Sequence, residues 1–316
     1  MWFKQAQLLE FNQSINLSET SLLEKLEPFN FKACLPTMPS SMGFVSPVDA
    51  DDETKPLVKS IPGYFMLCLQ IEEKLLPATV IRHELEKKIK KIEKLEDRKV
   101  RQKEKLNLKD ELTVTLLPRA FSKYSKVYAF IDVANRTLVL DTTTPNKIKQ
   151  FVSFLKKAIG DELFITNNHK LSGTMSLWIK DQDYPEMFSI EKSCVLQDPN
   201  QQTRVIRCNQ QDLFVTSIKS LIKDGCLVKQ LALNWQDRVE FILAEDGSLK
   251  SIKFEDEIKS QAKEMEPETK EQLFNADFFI MTQTFEQLFA DLKQLLATGT
   301  EKELPKAEIN THLEPA

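Results

Sequence analysis

The sequence is poor in the residues on which phosphate-binding loops and metal sites depend. None of its seven glycines forms Gly-x-Gly-x-x-Gly or Gly-x-x-x-x-Gly-Lys-Ser/Thr, the patterns whose backbone amides hold nucleotide phosphates. Of its three histidines, His83 has Lys87 where a zinc-protease helix needs a second histidine, and His169 follows two asparagines in a predicted turn. We therefore expect no nucleotide, no metal and no other cofactor.

Cysteines and long apolar runs are also scarce. The five cysteines are widely spaced and never form Cys-x-x-Cys, which disfavours both a disulfide framework and a zinc ribbon. No run reaches the roughly 18 apolar residues of a membrane-spanning helix, and the first residues lack the layout of a secretion signal. We expect a cytoplasmic location and no membrane partner.

One acidic run could in principle hold a divalent ion. It contains Asp49, Asp51, Asp52 and Glu53, but the ligand and glycine spacing of a calcium loop is absent. A solvated loop is the favoured interpretation, and a metal-dependent nuclease ranks last among the functions considered. We expect the chain not to be an enzyme.

Positive charge is concentrated in one segment of an otherwise acidic chain. Residues 82–126 contain fifteen Lys or Arg and eight Asp or Glu, a net charge of +7, while the complete chain has a net charge of −4. Nucleic-acid binding depends on the local potential of one face rather than on the total charge. The segment therefore points to a phosphate backbone as partner.

The basic segment is predicted to be a long helix. Ile81, Leu85, Ile89 and Ile92 recur at helical spacing after Pro77, which leaves the lysines on the other sides. Two alternatives remain open: a solvated helix with i,i+4 pairs such as Glu84 with Lys88 and Glu86 with Lys90, and an arm that docks on a protein helix without binding DNA.

Aromatic residues follow the basic helix. Phe121 comes after Pro118-Arg119-Ala120 in a predicted turn, where a large apolar side chain docks on a partner surface or on an adjacent domain. Tyr124 and Tyr128 can stack on unpaired bases or pack in the core, and core packing is favoured for Tyr128 because it lies in an alternating strand.

The remaining patterns predict an α+β fold. Predicted strands cover 2–11, 64–73, 126–133, 137–141, 175–179, 204–208, 227–233, 238–244, 248–254 and 277–281. Predicted helices cover 18–27, 144–160, 213–223 and 284–296, and 256–273 is either helical or loose. Residues 35–47 are predicted to be a loop, and residues 298–316 a disordered tail.

Several ordered blocks resemble the recombination-associated protein RdgC family of bacterial DNA-binding proteins. They span nearly residues 1 to 282, and their agreement in order is more specific than any one motif. The blocks are Trp2-Phe3-Lys4, Met42-Gly43-Phe44-Val45 with Pro47, Glu72-Glu73-Lys74-Leu75-Leu76-Pro77, Leu108-Lys109-Asp110-Glu111, Leu116-Leu117-Pro118-Arg119-Ala120-Phe121-Ser122, Leu231-Ala232-Leu233 with Trp235-Gln236, Asp246-Gly247-Ser248-Leu249-Lys250, and Ala276-Asp277-Phe278 with Met281-Thr282.

The resemblance implies a horseshoe-shaped subunit with mixed or antiparallel sheets and a long helical arm. Two subunits would pair at both ends into a ring-shaped homodimer around double-stranded DNA, without sequence preference, and would limit access of the recombinase RecA to the DNA. Phe121 would close one subunit contact. The implied division is a central α+β region (1–76 with 127–170), a basic arm (77–126), a second α+β region (171–297) and the tail.

The predicted DNA contacts combine the basic segment with one loop of the second half. Relatives can carry Lys-Gln-Asp where this chain has Gln210-Gln211-Asp212, so a contact from Gln210 would be neutral and would release no counterion. The complete set of predicted contacts is Lys87, Lys90, Lys94, Arg98, Lys99, Arg101, Lys103, Lys105, Arg119, Lys123 and Gln211.

Overall fold

The computed structural model describes residues 1–12, 17–52, 54–160, 164–165, 170–201 and 203–299. These residues form an α+β structure with two antiparallel sheets. The helices are α1 (Glu19–Leu26), α2 (Ala78–Glu96), α3 (Gln102–Leu116), α4 (Pro145–Ile159), α5 (Ser172–Asp181), α6 (Thr216–Lys223), α7 (Asp256–Glu264) and α8 (Lys270–Gly299). None of these helices combines the length and the apolar character that crossing a membrane requires.

The first sheet, called the central sheet below, has the strand order β2-β4-β5-β6-β1-β7, and β3 pairs with β4 on the same edge as β2. Its longest pairing joins β4 to β5 without interruption from Tyr64 opposite Asp132 to Leu75 opposite Phe121. The strands are β1 (Gln7–Phe11), β2 (Ser40–Val45), β3 (Val58–Ile61), β4 (Tyr64–Leu75), β5 (Phe121–Asp132), β6 (Thr137–Leu140) and β7 (Phe164–Ile165).

The second sheet, called the base sheet, has the order β12-β11-β10-β8-β9. Asp246 and Gly247 form the turn between β11 and β12, and Gly247 has a φ of 78°, a conformation that suits glycine. The strands are β8 (Phe188–Gln197), β9 (Val205–Cys208), β10 (Leu227–Trp235), β11 (Val239–Ala244) and β12 (Leu249–Phe254).

Two cores hold these layers together. On one face of the central sheet, Leu69 and Val127 pack in a cluster that includes Phe151 of α4. On the other face, Phe130 packs against Phe278 and Phe285 of α8, with ring centroids 6.3 and 5.9 Å apart. The same cluster contains the apolar side chains of the base sheet, so α8 serves both sheets.

The first residues of the chain also connect the two sheets. Ala6 forms a β-bridge with Leu249 of the base sheet, and the next residue, Gln7, already pairs with Leu140 of the central sheet. The backbone N–H groups of Lys4 and Gln5 both donate to one carboxylate oxygen of Asp141, at 3.0 Å. This segment therefore fixes the base sheet relative to β6.

Many predicted elements are confirmed. Helices α1 and α4, the hairpin of β5 and β6, strand β9 and the meander of β10, β11 and β12 lie within a few residues of their predicted positions. Strand β4 is buried on both faces, because Met66, Leu67, Cys68 and Leu69 are all inaccessible to solvent. Tyr128 is partly buried against the core, as expected.

Several predictions were wrong. Residues 175–179 and 277–281, predicted as strands, are parts of α5 and α8, because a short apolar run has no periodicity that separates a buried helix from a strand. Strand β2 occupies half of the predicted loop at 35–47, and strands β3 and β8 had not been predicted. The predicted tail lies almost entirely outside the described residues, as does His169.

A further error concerns the basic segment, which is not one long helix. Asp97 ends α2 in a left-handed conformation with a φ of 48°, and α3 begins five residues later. Residue Phe121 is not in a turn but is the first residue of β5, so the predicted boundary at 126–127 falls inside that strand. The division into regions stays a prediction.

Gly43 provides a test of this packing. A Cβ atom at Gly43 of β2 would lie 2.3 Å from the Cα atom of Phe31, so Gly43→Ala must displace backbone. We expect a loss of about 1–3 kcal/mol in the free energy of unfolding, measured with urea. Gly173→Ala in α5 is the control, because its Cβ meets nothing within 4 Å. Equal urea midpoints for the two variants would contradict this packing.

Candidate nucleic-acid interface

The basic segment forms a helical hairpin, called the arm, that consists of α2, α3 and residues 97–101. Strand β4 ends at Leu75 and leads into α2, while α3 leads through a 3₁₀ turn at Leu117–Arg119 into β5. Because β4 and β5 pair antiparallel up to Leu75 and Phe121, the arm leaves and re-enters the central sheet at adjacent positions. The sheet therefore fixes both ends of the arm.

The two helices of the arm pack on each other through their apolar stripes. Ile81, Leu85, Ile89 and Ile92 of α2 are half-buried, as their spacing predicted, and Leu108 of α3 is buried. An ion pair between Lys88 and Glu111, with nitrogen and oxygen 2.9 Å apart, joins the helices on the surface. The apolar stripe of α2 therefore packs against α3 within the arm.

The turn at the end of the arm is held by one arginine. Both terminal nitrogens of Arg98 donate to the carboxylate of Glu104 at 2.8 Å, and its Nε donates to Glu96 at 2.6 Å. These hydrogen bonds raise the pKa of Arg98 above its usual value. The charge of Arg98, a predicted DNA contact, is therefore matched by two carboxylates within the arm.

The other predicted cations of the arm differ in their ion pairs. Lys87 forms an ion pair with Glu84, three residues earlier. Lys88, which was expected to pair with Glu84, pairs with Glu111 of α3 instead. Among the predicted cations of the arm, Lys105 is half-buried and the others are exposed. Within the described part of the chain, no ion pair is recorded for Lys90, Lys94, Lys99, Arg101, Lys103, Lys105, Arg119 or Lys123.

The predicted contacts therefore fall into two groups. Ten lie on the arm or on the first residues after it, and Arg119 and Lys123 are exposed beside Phe121. Gln211 lies in the loop between β9 and α6 of the base sheet, where its backbone N–H donates to Lys192 at 3.2 Å. The neighbouring Gln210 is exposed and adopts a left-handed conformation.

Strand β5 adds one cation beyond the predicted set, Lys126, with the aromatic Tyr124 beside it on the same face. Strand alternation places Tyr124 and Lys126 on the face of β5 that also carries Ser122, and both side chains are exposed. Their counterparts across β4 are Glu72 and Gln70. Lys126 was counted in the segment charge but not chosen as a contact, and the alternating pattern of β5 would have identified its face.

The acidic run does not form a metal site in the described residues. Asp52 accepts hydrogen bonds from the backbone and hydroxyl of Thr54, and Asp49 accepts one from the backbone of Asp51. Glu53 lies outside the described residues. Over the described ranges, no group of three or more His, Cys, Asp or Glu side chains could hold a metal ion.

Comparisons with known proteins agree over almost the full length. A family model described as "Putative exonuclease, RdgC" matches residues 1–299. A recombination-associated protein RdgC from Yersinia enterocolitica is 33% identical over 298 residues, which cover 94% of this chain and 98% of that protein. A recombination-associated protein RdgC from Sodalis glossinidius is 34% identical over 92% of this chain and 96% of that protein. One from Yersinia pestis is 32% identical over 94% of this chain and 98% of that protein.

The family match and these relatives cover the arm, both sheets and the helix between them. The sequence resemblance is thereby confirmed, and the relatives' names connect the family with recombination. The chain belongs to the RdgC family.

Proposed function

We propose that this chain binds double-stranded DNA without sequence preference, through phosphate contacts made mainly by the arm. The observation that carries the proposal is the set of exposed arm cations, such as Lys90, Lys99 and Lys103, that form no ion pair with a carboxylate in the described part of the chain. Such cations can displace counterions from a phosphate backbone, and phosphate contacts carry no sequence information.

The proposal includes a homodimer. Two copies pair at both ends into a ring that encircles the duplex, and the ring limits access of RecA to the DNA it covers. Phe121 supports this pairing, because it begins β5 at the root of the arm with 83% of its surface exposed. A large exposed aromatic at such a site is typical of a contact surface. A cytoplasmic, nucleoid-associated protein follows from DNA as the partner.

The alternative, an arm that docks on a protein helix, has less support. Such docking needs an unpartnered apolar stripe, and the stripe of α2 already packs on α3. The outside of the arm is mostly charged, although Val80, Leu95, Leu106 and Val114 are also exposed there. DNA is the partner that this surface fits best.

Removal of arm cations tests the phosphate contacts. Log affinity falls linearly with log salt concentration, and each phosphate contact adds about 0.9 to the steepness of that slope. If Arg101 and Lys103 each contact one phosphate, Arg101→Gln/Lys103→Gln should make the slope shallower by about two units. Fluorescence anisotropy with two unrelated duplexes measures this slope, and both duplexes should give the same affinity.

The control variant is Lys263→Gln/Lys270→Gln, which removes the same charge from exposed residues around α7 and the start of α8. It should leave the slope unchanged. Equal slopes for the two double variants would remove the arm from the interface. A clear affinity difference between the duplexes would contradict sequence-independent binding.

We also propose that the chain does not cleave DNA. The family description names an exonuclease, and such an activity would need metal ligands or an equivalent catalytic group. End-labelled duplex incubated with the full chain and magnesium or manganese should remain intact. Metal-dependent shortening would contradict the proposal, and loss of that shortening in Asp49→Asn/Asp52→Asn would assign it to the acidic run.

A further inference from the structure

Two cysteines face each other at the edge of the base sheet. Cys194 of β8 lies directly opposite Cys208 of β9 in the antiparallel register, and the two thiols are in hydrogen-bonding contact. Both are free thiols, and both are buried in the core that the base sheet shares with α8, with 3% and 4% of their surfaces exposed. The fold therefore brings two nucleophilic side chains together away from the arm.

The cysteine pair lies at the open end of a short hairpin. Strand β9 is the last strand of the base sheet and pairs with β8 over four residue pairs. At the turn of the hairpin, Arg204 forms an ion pair with Asp198, with Nη1 and Oδ2 3.5 Å apart. The pair of Cys194 and Cys208 is the one farthest from that turn. The turn end of the hairpin is thus fastened by an ion pair, and the open end carries the two thiols.

The chain leaves the sheet directly after Cys208. Residues 209–211 are exposed, and Gln210 adopts a left-handed conformation with a φ of 54°. The backbone N–H of Gln211 donates to the carbonyl of Lys192 at 3.2 Å, which holds this loop to β8. A short edge strand that is followed by an exposed loop opens at a low cost in free energy. Opening of this end of β9 exposes the thiols without unfolding the rest of the base sheet.

Burial protects the thiols while the end of β9 is closed. Burial raises the pKa of Cys194, and the adjacent thiol of Cys208 raises it further. The thiolate is the reactive form of cysteine, so the closed pair reacts slowly with oxidants. Reaction is therefore confined to the opened form of the strand end, and its rate follows how often that end opens.

The positions of the two cysteines suit a reversible disulfide. Residues directly opposite each other on antiparallel strands have Cβ atoms about 4.5–5.5 Å apart, whereas a disulfide needs about 3.5–4.5 Å. The strands must therefore approach each other by about 1 Å, which the free end of an edge strand allows. A disulfide that pulls two strands together is strained, and strained disulfides are reduced more easily than structural ones.

We propose that Cys194 and Cys208 form a reversible intrachain disulfide when the chain meets a peroxide, and that this bond fixes the end of β9 against β8. The thiolate of Cys208 attacks one oxygen of hydrogen peroxide, the O–O bond breaks, and a sulfenic acid and hydroxide form. The thiol of Cys194 then attacks that sulfur, so that an S–S bond replaces the S–O bond and water leaves. In sum, two thiols lose two hydrogens, and one peroxide is reduced to two waters.

Packing alone is the competing explanation, because a buried cysteine behaves as a small apolar residue. Packing needs an apolar side chain at each of the two positions, but it does not need two thiols directly opposite each other. The other three cysteines are internal controls, since Cys34 lies before β2, Cys68 within β4 and Cys226 before β10. The inference does not depend on DNA binding, so its failure would leave the proposed function untouched.

Peptide mapping tests the disulfide. Cys34→Ser is the starting chain, because Cys34 is half-exposed and would form disulfides between chains, and a serine hydroxyl can still donate to Met38. The folded chain is treated with hydrogen peroxide, unreacted peroxide is removed, and free thiols are alkylated in denaturant. Trypsin leaves Cys194 in the peptide 193–204 and Cys208 in the peptide 208–219. These two peptides should be found joined, with the loss of two hydrogens.

The buried controls distinguish local opening from unfolding. Cys68 and Cys226 should remain alkylated thiols, because they are buried and no global unfolding is needed for the reaction. If these two cysteines enter disulfides at the same rate, the reaction proceeds through the unfolded chain and the inference fails. It also fails if the peptides stay separate under conditions that oxidise Cys34 in the unmodified chain, because the pair then serves packing alone.

Reduction by glutathione tests whether the bond is reversible. The oxidised Cys34→Ser chain is incubated in its folded form with reduced glutathione, and the peptides are mapped again. Both thiols should return, because a strained disulfide gives up its bond to a monothiol. A bond that persists in glutathione and is lost only in denaturant would be a structural disulfide, which would overturn the proposed reversibility.

Amide hydrogen exchange tests the effect on the strand. Peroxide treatment should slow exchange over 205–211 about threefold to tenfold, because the bond closes the end of β9 that opens most easily. Exchange in β12, the other edge strand of the base sheet, should stay the same. In Cys34→Ser/Cys194→Ala/Cys208→Ala, peroxide should change neither strand. Unchanged exchange over 205–211 in the cross-linked chain would overturn the claim that the bond fixes β9.

Discussion

The pairing of β4 with β5 is the constraint on which the rest of the structure depends. Its twelve residue pairs run from the core shared with α8 to the root of the arm. Alternate residues face different cores, as Phe130 and Val127 do, so a shift of one residue would exchange the two faces. The register therefore fixes where the arm begins and which side of the sheet faces the base.

Because the arm folds back on itself, many of its apolar residues lie inside the hairpin and many of its cations lie on the outside. Its apolar residues pack between α2 and α3, and Arg98 holds the turn with Glu96 and Glu104. Several cations on the outside of the arm then form no ion pair within the described residues, and the residues outside the basic segment are acidic in sum. Under the proposed function this arrangement would direct a phosphate backbone to the arm rather than to the rest of the surface.

The sequence predicted the elements with clear local patterns and missed those set by tertiary contacts. Strand alternation located β4, and Asp246-Gly247 located the turn between β11 and β12. Residues 277–281 were misassigned because four of the five are apolar, and even the exposed position of α8 in that stretch is taken by an apolar residue, Phe279. Segment charge identified the arm, but the pairing of Arg98 with Glu104 depends on the left-handed turn at Asp97, which no spacing rule indicated. The contact between Cys34 and Glu72 was missed for the same reason, because the two residues are 38 positions apart in sequence.

Retention on closed DNA tests most directly whether paired chains encircle a duplex. The chain is bound to a nicked circular duplex at low salt, and high salt is then added to break phosphate contacts. The amount of protein that stays on the DNA is measured for the circle and for the same DNA cut once. A ring predicts that the protein stays on the circle and is lost from the linear form. Equal loss from both forms would contradict encirclement and leave binding by the arm alone.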